Sequence, residues 1–256
     1  MQKLLAITLD SYKKLYRDKV FIPAIFVATF LMLIAMAASE FGTIEVYKIM
    51  YDIGSSSYLF IGCLTGIFWG TNLISDAKTD GSMELQLCSP ITRSQWLFGK
   101  FLGLVIVKIL LAVILTSLWQ ILFTALGHGT VDLNAFKFFF SLSLAWLVMD
   151  SLTILLAILT SKSVALFSSF SLFLIGIISG PLLQSLSPKS DPMVKTLITN
   201  LCSFWNLSYF NLSSYLIENK LISISNLLPR IIYAVSLITF FISLSVICFN
   251  NKDLQD

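Results

Sequence analysis

The chain predicts an all-α, polytopic membrane protein with six transmembrane helices, and three observations carry that expectation. Hydrophobic residues make up 57 % of the 256-residue sequence and charged residues only 12 %, with a mean hydropathy of +0.87. That is more apolar surface than one water-soluble core of this size could hide. Six apolar stretches have span length, at residues 20–39, 53–74, 96–126, 138–160, 164–186 and 230–249. Lys and Arg are distributed unevenly between the two sides those spans define. One side holds five in residues 1–19, then Lys78, Arg93, Lys100, Lys162 and Lys252, ten in all, against six on the other. The positive-inside rule therefore places both termini in the cytoplasm.

Residues 1–19 set Leu4, Leu5, Ile7, Leu9, Leu15 and Tyr16 against Lys3, Lys13, Lys14, Arg17 and Lys19, the pattern of an amphipathic helix at the membrane interface. A full-length span follows directly, which is unlike a cleaved signal peptide. Glu40 to Asp52 reads as a polar loop. The second span carries Gly62, Gly66 and Gly70 at four-residue spacing, a small-residue face on which another helix approaches closely, within one subunit or between subunits. Gly176 and Gly180 repeat the spacing in span five.

The stretch 75–95, SDAKTDGSMELQLCSPITRSQ, is the longest polar interruption on the cytoplasmic side. It has an acidic, glycine-containing turn (Asp76, Lys78, Asp80, Gly81), then Met83 and Leu87 one helical turn apart, then Pro90 and Arg93. A short amphipathic helix lies across the membrane face here, and a partner outside the membrane should dock on it. On the opposite side, residues 187–229 interleave Leu197, Ile198, Leu201, Phe204, Trp205, Tyr209, Phe210, Tyr215, Leu216 and Ile217 with Asn and Ser. Aromatic density of this kind predicts one or two interfacial or re-entrant helices.

Several chemistries are excluded by motif. No G-x-x-x-x-G-K-[ST] occurs, because Gly99-Lys100 is followed by Phe101 and has Ser94 where the first glycine should stand. There is no HExxH, no G-x-S-x-G and no paired-carboxylate cluster within a span, so an enzymatic reading has little support. Cys63, Cys88, Cys202 and Cys248 are scattered, which predicts isolated thiols rather than a disulfide or metal site. His128 sits in a Gly-His-Gly loop. Neither charge nor motif suggests nucleic acid. Two ionisable residues do fall inside spans: Lys108 and Asp150 both lie ~15 Å from the cytoplasmic ends, at ~1.5 Å per residue. Unpaired charge at that depth is expensive, so they are expected to pair, as a structural bridge or as a lining of a substrate or proton route, the alternative being Lys108 reaching toward cytoplasmic water with Asp150 protonated.

With the central stretch read in full, the chain resembles the ABC type-2 transporter permease family, whose members carry Gly-Thr-Leu-Glu-x-Leu-x-x-x-Pro-[Ile/Val]-x-Arg between spans two and three and then Gly-Lys. Here the match is Gly81, Ser82, Met83, Glu84, Leu85, Leu87, Ser89-Pro90-Ile91-Thr92-Arg93 and Gly99-Lys100, with Thr79-Asp80 where the family has an acidic–basic pair. The resemblance implies a membrane subunit of an exporter in the cytoplasmic membrane, paired with a like or unlike permease subunit and two separately encoded ATPase subunits. No cofactor would bind directly, and ATP would act through the partner. In this family the N-terminal amphipathic helix and the helix after span two, the coupling helix, meet the ATPase. Asp80, Gly81, Glu84, Leu85, Leu87, Pro90 and Arg93 would then be the coupling residues, with Glu84 and Arg93 as polar contacts. The segment between spans five and six would form helices at the outer leaflet. Substrate does not carry over, since lipid, polysaccharide, drug, peptide and ion exporters share the pattern. Two other classes remain open from the residues alone: a secondary transporter coupling ions through Lys108 and Asp150, which predicts internal repeats and interrupted spans in both halves, of which the sequence shows only glycine recurring in spans two and five, and a non-transporting anchor or assembly factor.

Overall fold

The computed structural model describes residues 2–40, 46–88, 91–125, 133–185, 192–218 and 220–251. His128, Pro90 and Lys252 lie outside them. Among the described residues the chain is helical throughout: α1 Gln2–Tyr16, α2 Phe21–Glu40, α3 Val46–Thr79, α4 Ser82–Leu87, α5 Arg93–Ala125, α6 Leu133–Leu159, α7 Lys162–Ser185, α8 Pro192–Phe204, a 3-10 turn at Leu207–Phe210, α9 Ser213–Ile217 and α10 Ile224–Asn251. Helices dominate because a backbone in lipid must satisfy its own hydrogen bonds. Five of them, α3, α5, α6, α7 and α10, are each long and apolar enough to cross a membrane, and the bent pair Leu4–Tyr16 and Phe21–Ala35, with 58° between its halves, makes a sixth when taken as one.

The helices overrun the apolar stretches at several ends. Val46 to Asp52, expected as loop, is the first two turns of α3, and Ser75 to Thr79, expected as the start of the polar stretch, is its last turn. Leu133 to Lys137 likewise belongs to α6, and α10 begins at Ile224 rather than Arg230. Polar residues end the hydrocarbon-facing stretch, but polarity by itself does not end a helix, since residues such as Lys, Glu and Gln have good helix propensity.

Helices α3 and α6 form the centre. The apolar windows of both are 78 % buried within the protein, against 28 % for α7 and α10. α3 packs on α2, α6 and α7, and α6 packs in addition on α5 and α10. The interior is aromatic: Tyr58 stacks on Trp146 at 4.3 Å between ring centroids, and Trp119 meets Phe139 edge-on at 5.7 Å.

Helix α1 lies along the start of α5. Its buried face is Ile7, Thr8, Ser11 and Leu15, whereas Leu5, Leu9 and Tyr16 are exposed and give the amphipathic helix an apolar side for lipid. The close approach depends on Gly99 and Gly103. A Cβ on Gly99 would stand 2.8 Å from Ile7 Cγ2, and one on Gly103 would stand 2.5 Å from Ser11 Cβ.

At the opposite end, the segment 205–212 folds back onto the bundle. Pro181 lies inside α7 and supplies no N–H for the carbonyl of Ile177 four residues earlier. The Ser208 hydroxyl donates to that carbonyl at 2.7 Å, and the Trp205 indole N–H donates to the Leu172 carbonyl at 2.7 Å. Gly176 and Gly180 are the seats for Leu207, Trp205 and Ser208. The second small-residue pair thus receives this folded-back turn, not a neighbouring span. The buried Ser141 hydroxyl donates to the Phe210 carbonyl at 2.8 Å, and Lys137 Nζ to the Ile222 carbonyl at 3.0 Å.

Candidate functional site

Two places gather the residues that the sequence singled out, the short helix α4 and the centre of the bundle. α4 follows a turn at Gly81, whose φ of 67° is left-handed. Nothing lies within 4 Å of where its Cβ would be, so glycine is required there by the backbone and not by space. α4 is anchored by Met83, which is buried against Ile7, Ile74, Ala77, Trp96, Leu97 and Phe101, with Leu87 half-buried beside it. Glu84 and Leu85 point outward. Leu85, at 76 % exposed, is an apolar side chain presented away from the bundle. Asp80 is exposed at the turn.

Gln86 ties α4 down from the side. Its Oε1 accepts the Trp96 indole N–H at 2.6 Å, and its Nε2 donates to Asp10 of α1 at 3.5 Å. Asp10 also lies 3.9 Å from Lys100, whose ammonium sits 5.5 Å from the Trp96 ring. None of Gln86, Trp96 or Asp10 was singled out in the sequence, because each is an unremarkable residue until α1, α4 and α5 are brought together.

The residues flanking α4 reach to other helix ends. Lys78 Nζ donates to the carbonyls of Ala157 at 2.6 Å and Ile158 at 3.0 Å, in the last turn of α6. Arg93 donates through Nη1 to the carbonyls of Phe249 at 2.7 Å and Asn250 at 3.3 Å, in the last turn of α10, and its guanidinium lies 5.6 Å from the Phe249 ring. Cations at helix carboxyl ends satisfy carbonyls that have no partner within the helix and interact favourably with the helix dipole. Arg93, a coupling residue by the family resemblance, is half-buried with its guanidinium turned toward α10. Asp76 joins Lys162 at the start of α7 at 2.8 Å and lies 4.0 Å from Lys14 of α1.

In the centre of the bundle, Lys108 Nζ of α5 lies 3.6 Å from Asp150 Oδ1 of α6, and the side chains are 1 % and 0 % exposed. Lys108 also donates to the Gly62 carbonyl and, at 2.8 Å, to Thr65 Oγ1, both on α3. Its ammonium sits 5.4 Å from the Trp69 ring and 5.5 Å from the Trp146 ring. Two indole faces, a carboxylate and two oxygen acceptors enclose the charge, which offsets part of its desolvation.

The glycine stripe belongs to the same construction. A Cβ on Gly62 would collide with the Trp146 indole, one on Gly66 with Asp150 Oδ1, and one on Gly70 would stand 3.1 Å from Thr153 Cγ2. Gly62, Gly66 and Gly70 therefore pack α3 on α6 within one chain, and their face is not available to a second subunit. The sequence showed the stripe and the two charges separately. Only the register of α3, α5 and α6 shows that the carboxylate lies against the middle glycine.

A bundle of long apolar helices, with a small amphipathic helix carried on charged and aromatic contacts at one end and a folded-back turn at the other, has the architecture of a multi-pass membrane protein. The family described as "ABC-2 family transporter protein" matches residues 6–254, nearly the whole chain, and this protein belongs to it. It is by that membership a permease subunit of an ABC transporter, a non-catalytic membrane component of a kind that associates with an ABC ATPase subunit. A search of curated proteins gives no match to the chain.

Proposed function

We propose that this protein is the permease of a bacterial-type ABC exporter in the cytoplasmic membrane, and that α4 is the coupling helix on which a separately encoded ATPase subunit docks. The observation that carries the reading is the geometry of α4. Met83 and Gln86 fix its inner side, while Glu84 and Leu85 form an outward face with a charge beside an apolar anchor. A central apolar contact with polar groups at its rim is the composition of a specific interface. Two ATPase subunits and a second permease, like or unlike, complete the transporter, and ATP acts only through the ATPase. Both termini and α4 lie on the cytoplasmic side, a placement supported by the excess of Lys and Arg there. The re-entrant turn at Leu207–Phe210 then lies toward the outer leaflet.

The test is co-purification of the tagged protein with a co-expressed ABC ATPase subunit from the same source. Glu84→Lys and Leu85→Asp should each weaken ATPase binding by about tenfold, equivalent to about 1.4 kcal/mol, while insertion and yield stay as in the unsubstituted protein. Binding that survives both changes removes α4 as the docking element.

A further inference from the structure

The coupling segment does not end where α4 ends. On its amino side Lys78 holds the carboxyl end of α6, and on its carboxyl side Arg93 holds the carboxyl end of α10. Each cation bonds two successive carbonyls, so each span end is gripped by a forked contact and not by a single hydrogen bond. These partners are distant in sequence, 79 and 156 residues away at the shortest contacts.

We infer that Lys78 and Arg93 are the positioning residues through which movement of the coupling segment reaches the spans, Lys78 acting on α6 and Arg93 on α10. The inference rests on α4 being the ATPase docking element, and it gives the two cations a role distinct from docking. The α6 arm leads to the centre of the bundle, because α6 carries Asp150 about two turns before the gripped carbonyls and Asp150 meets Lys108 of α5. The α10 arm leads to the opposite end, because Tyr233 of α10 accepts the backbone N–H of Asn206 at 3.1 Å and its hydroxyl donates to the Phe204 carbonyl at 2.8 Å beside the re-entrant turn. A displacement of α4 would thus be divided between two helices that end in different places. Backbone carbonyls are well suited as acceptors for such a grip, which depends on where the helix end is and not on which side chain α6 or α10 carries.

The experiment uses the permease co-expressed with its ATPase subunit, reconstituted in lipid vesicles, and reads three quantities: ATPase subunit bound per permease, ATP turnover of the complex relative to the free ATPase subunit, and thermal stability. Lys78→Met and Arg93→Met remove the donors. Each should leave the bound ATPase unchanged and reduce the turnover that assembly adds by at least about tenfold, the factor that losing even one of its two charge-assisted hydrogen bonds makes in an equilibrium. Lys78→Arg and Arg93→Lys keep a cation within reach of the same carbonyls and should retain most of that turnover. Where a Met variant fails to insert, Lys78→Gln and Arg93→Gln keep an N–H donor without the charge and should give intermediate turnover. A Met variant that binds the ATPase and turns over ATP at the original rate overturns the inference. So does a Met variant that no longer binds the ATPase, since its residue would then be a docking contact. If the unsubstituted protein binds no ATPase, the docking reading fails and takes the inference with it, whereas failure of the Lys and Arg variants alone leaves docking standing.

Discussion

Of the lysine–aspartate pairs in this bundle, two make a contrast in which the shorter is the weaker. Lys162 and Asp76 meet at 2.8 Å with side chains 47 % and 32 % exposed, whereas Lys108 and Asp150 are 3.6 Å apart at 1 % and 0 %. At the exposed pair, water already solvates both charges, and an ion pair there contributes about 0–1 kcal/mol whatever its length. In the interior neither charge can return to water when its partner is removed. Breaking a buried pair costs about 3–5 kcal/mol for that reason. Distance alone is therefore a poor guide to which contact the fold depends on, and burial decides between them.

The comparison can be tested in descending order of expected effect. Gly66→Leu should be the most damaging single change, because a side chain there both overpacks the α3–α6 contact and pushes against the Asp150 carboxylate. Overpacking and the broken pair together predict a loss on the order of 5 kcal/mol, read as loss of monodisperse protein after detergent extraction. Gly66→Ala, which also adds a Cβ at this point, should fail in the same direction, and a silent Gly66→Ala would contradict the packing described for α3 and α6.

Next come the members of the pair. Asp150→Asn and Lys108→Met should each lower stability by about 3–5 kcal/mol, by leaving an isolated charge in the low-dielectric interior. The double change should recover much of that, and its non-additivity in a denaturation cycle measures the coupling. If it recovers stability but not ATP-dependent function in the assembled transporter, the pair serves a route or a conformational step as well as the fold. Simple additivity would mean that the two charges do not depend on one another.

The smallest effect should be at the surface. Asp76→Asn should cost under about 1 kcal/mol, and the difference should shrink as ionic strength rises, because exposed charges are screened over about 10 Å at 0.1 M salt. Melting temperatures at two salt concentrations check this. A large, salt-independent loss would place Asp76 in the same class as Asp150 and dissolve the comparison.

How much of this was legible in advance divides by physical origin. Hydropathy marked the apolar stretches that α3, α5, α6, α7 and α10 contain, because the requirement that a lipid-facing helix be apolar acts on every residue in it. The short helix α4 was visible as polar residues between two spans with Met83 and Leu87 spaced for one face, and the family pattern on Gly81, Glu84 and Arg93 is what suggests a docking role for it. The direction of Arg93 was not visible. A guanidinium at the start of α5 can face outward or grip a neighbouring helix end, and its own neighbours in sequence do not distinguish the two. Gly176 and Gly180 show the same limit: four-residue spacing states that something comes close, and here it is the turn at Trp205 to Ser208, docked where Pro181 frees the Ile177 carbonyl.

That this is a helical membrane protein, roughly where its spans run, and that two charges lie deep within them could all be read from the residues in order, since each follows from the transfer of individual residues or short runs out of water. Which surfaces meet emerged only from the folded bundle: the Gly62, Gly66 and Gly70 face is closed by Trp146, Asp150 and Thr153 of the same chain, Gln86 binds Trp96, and Lys78 and Arg93 hold the ends of α6 and α10. Helix rotation and register are set by packing across segments far apart in the chain, where a shift of one residue turns each side chain by about 100°, and no local pattern carries that information.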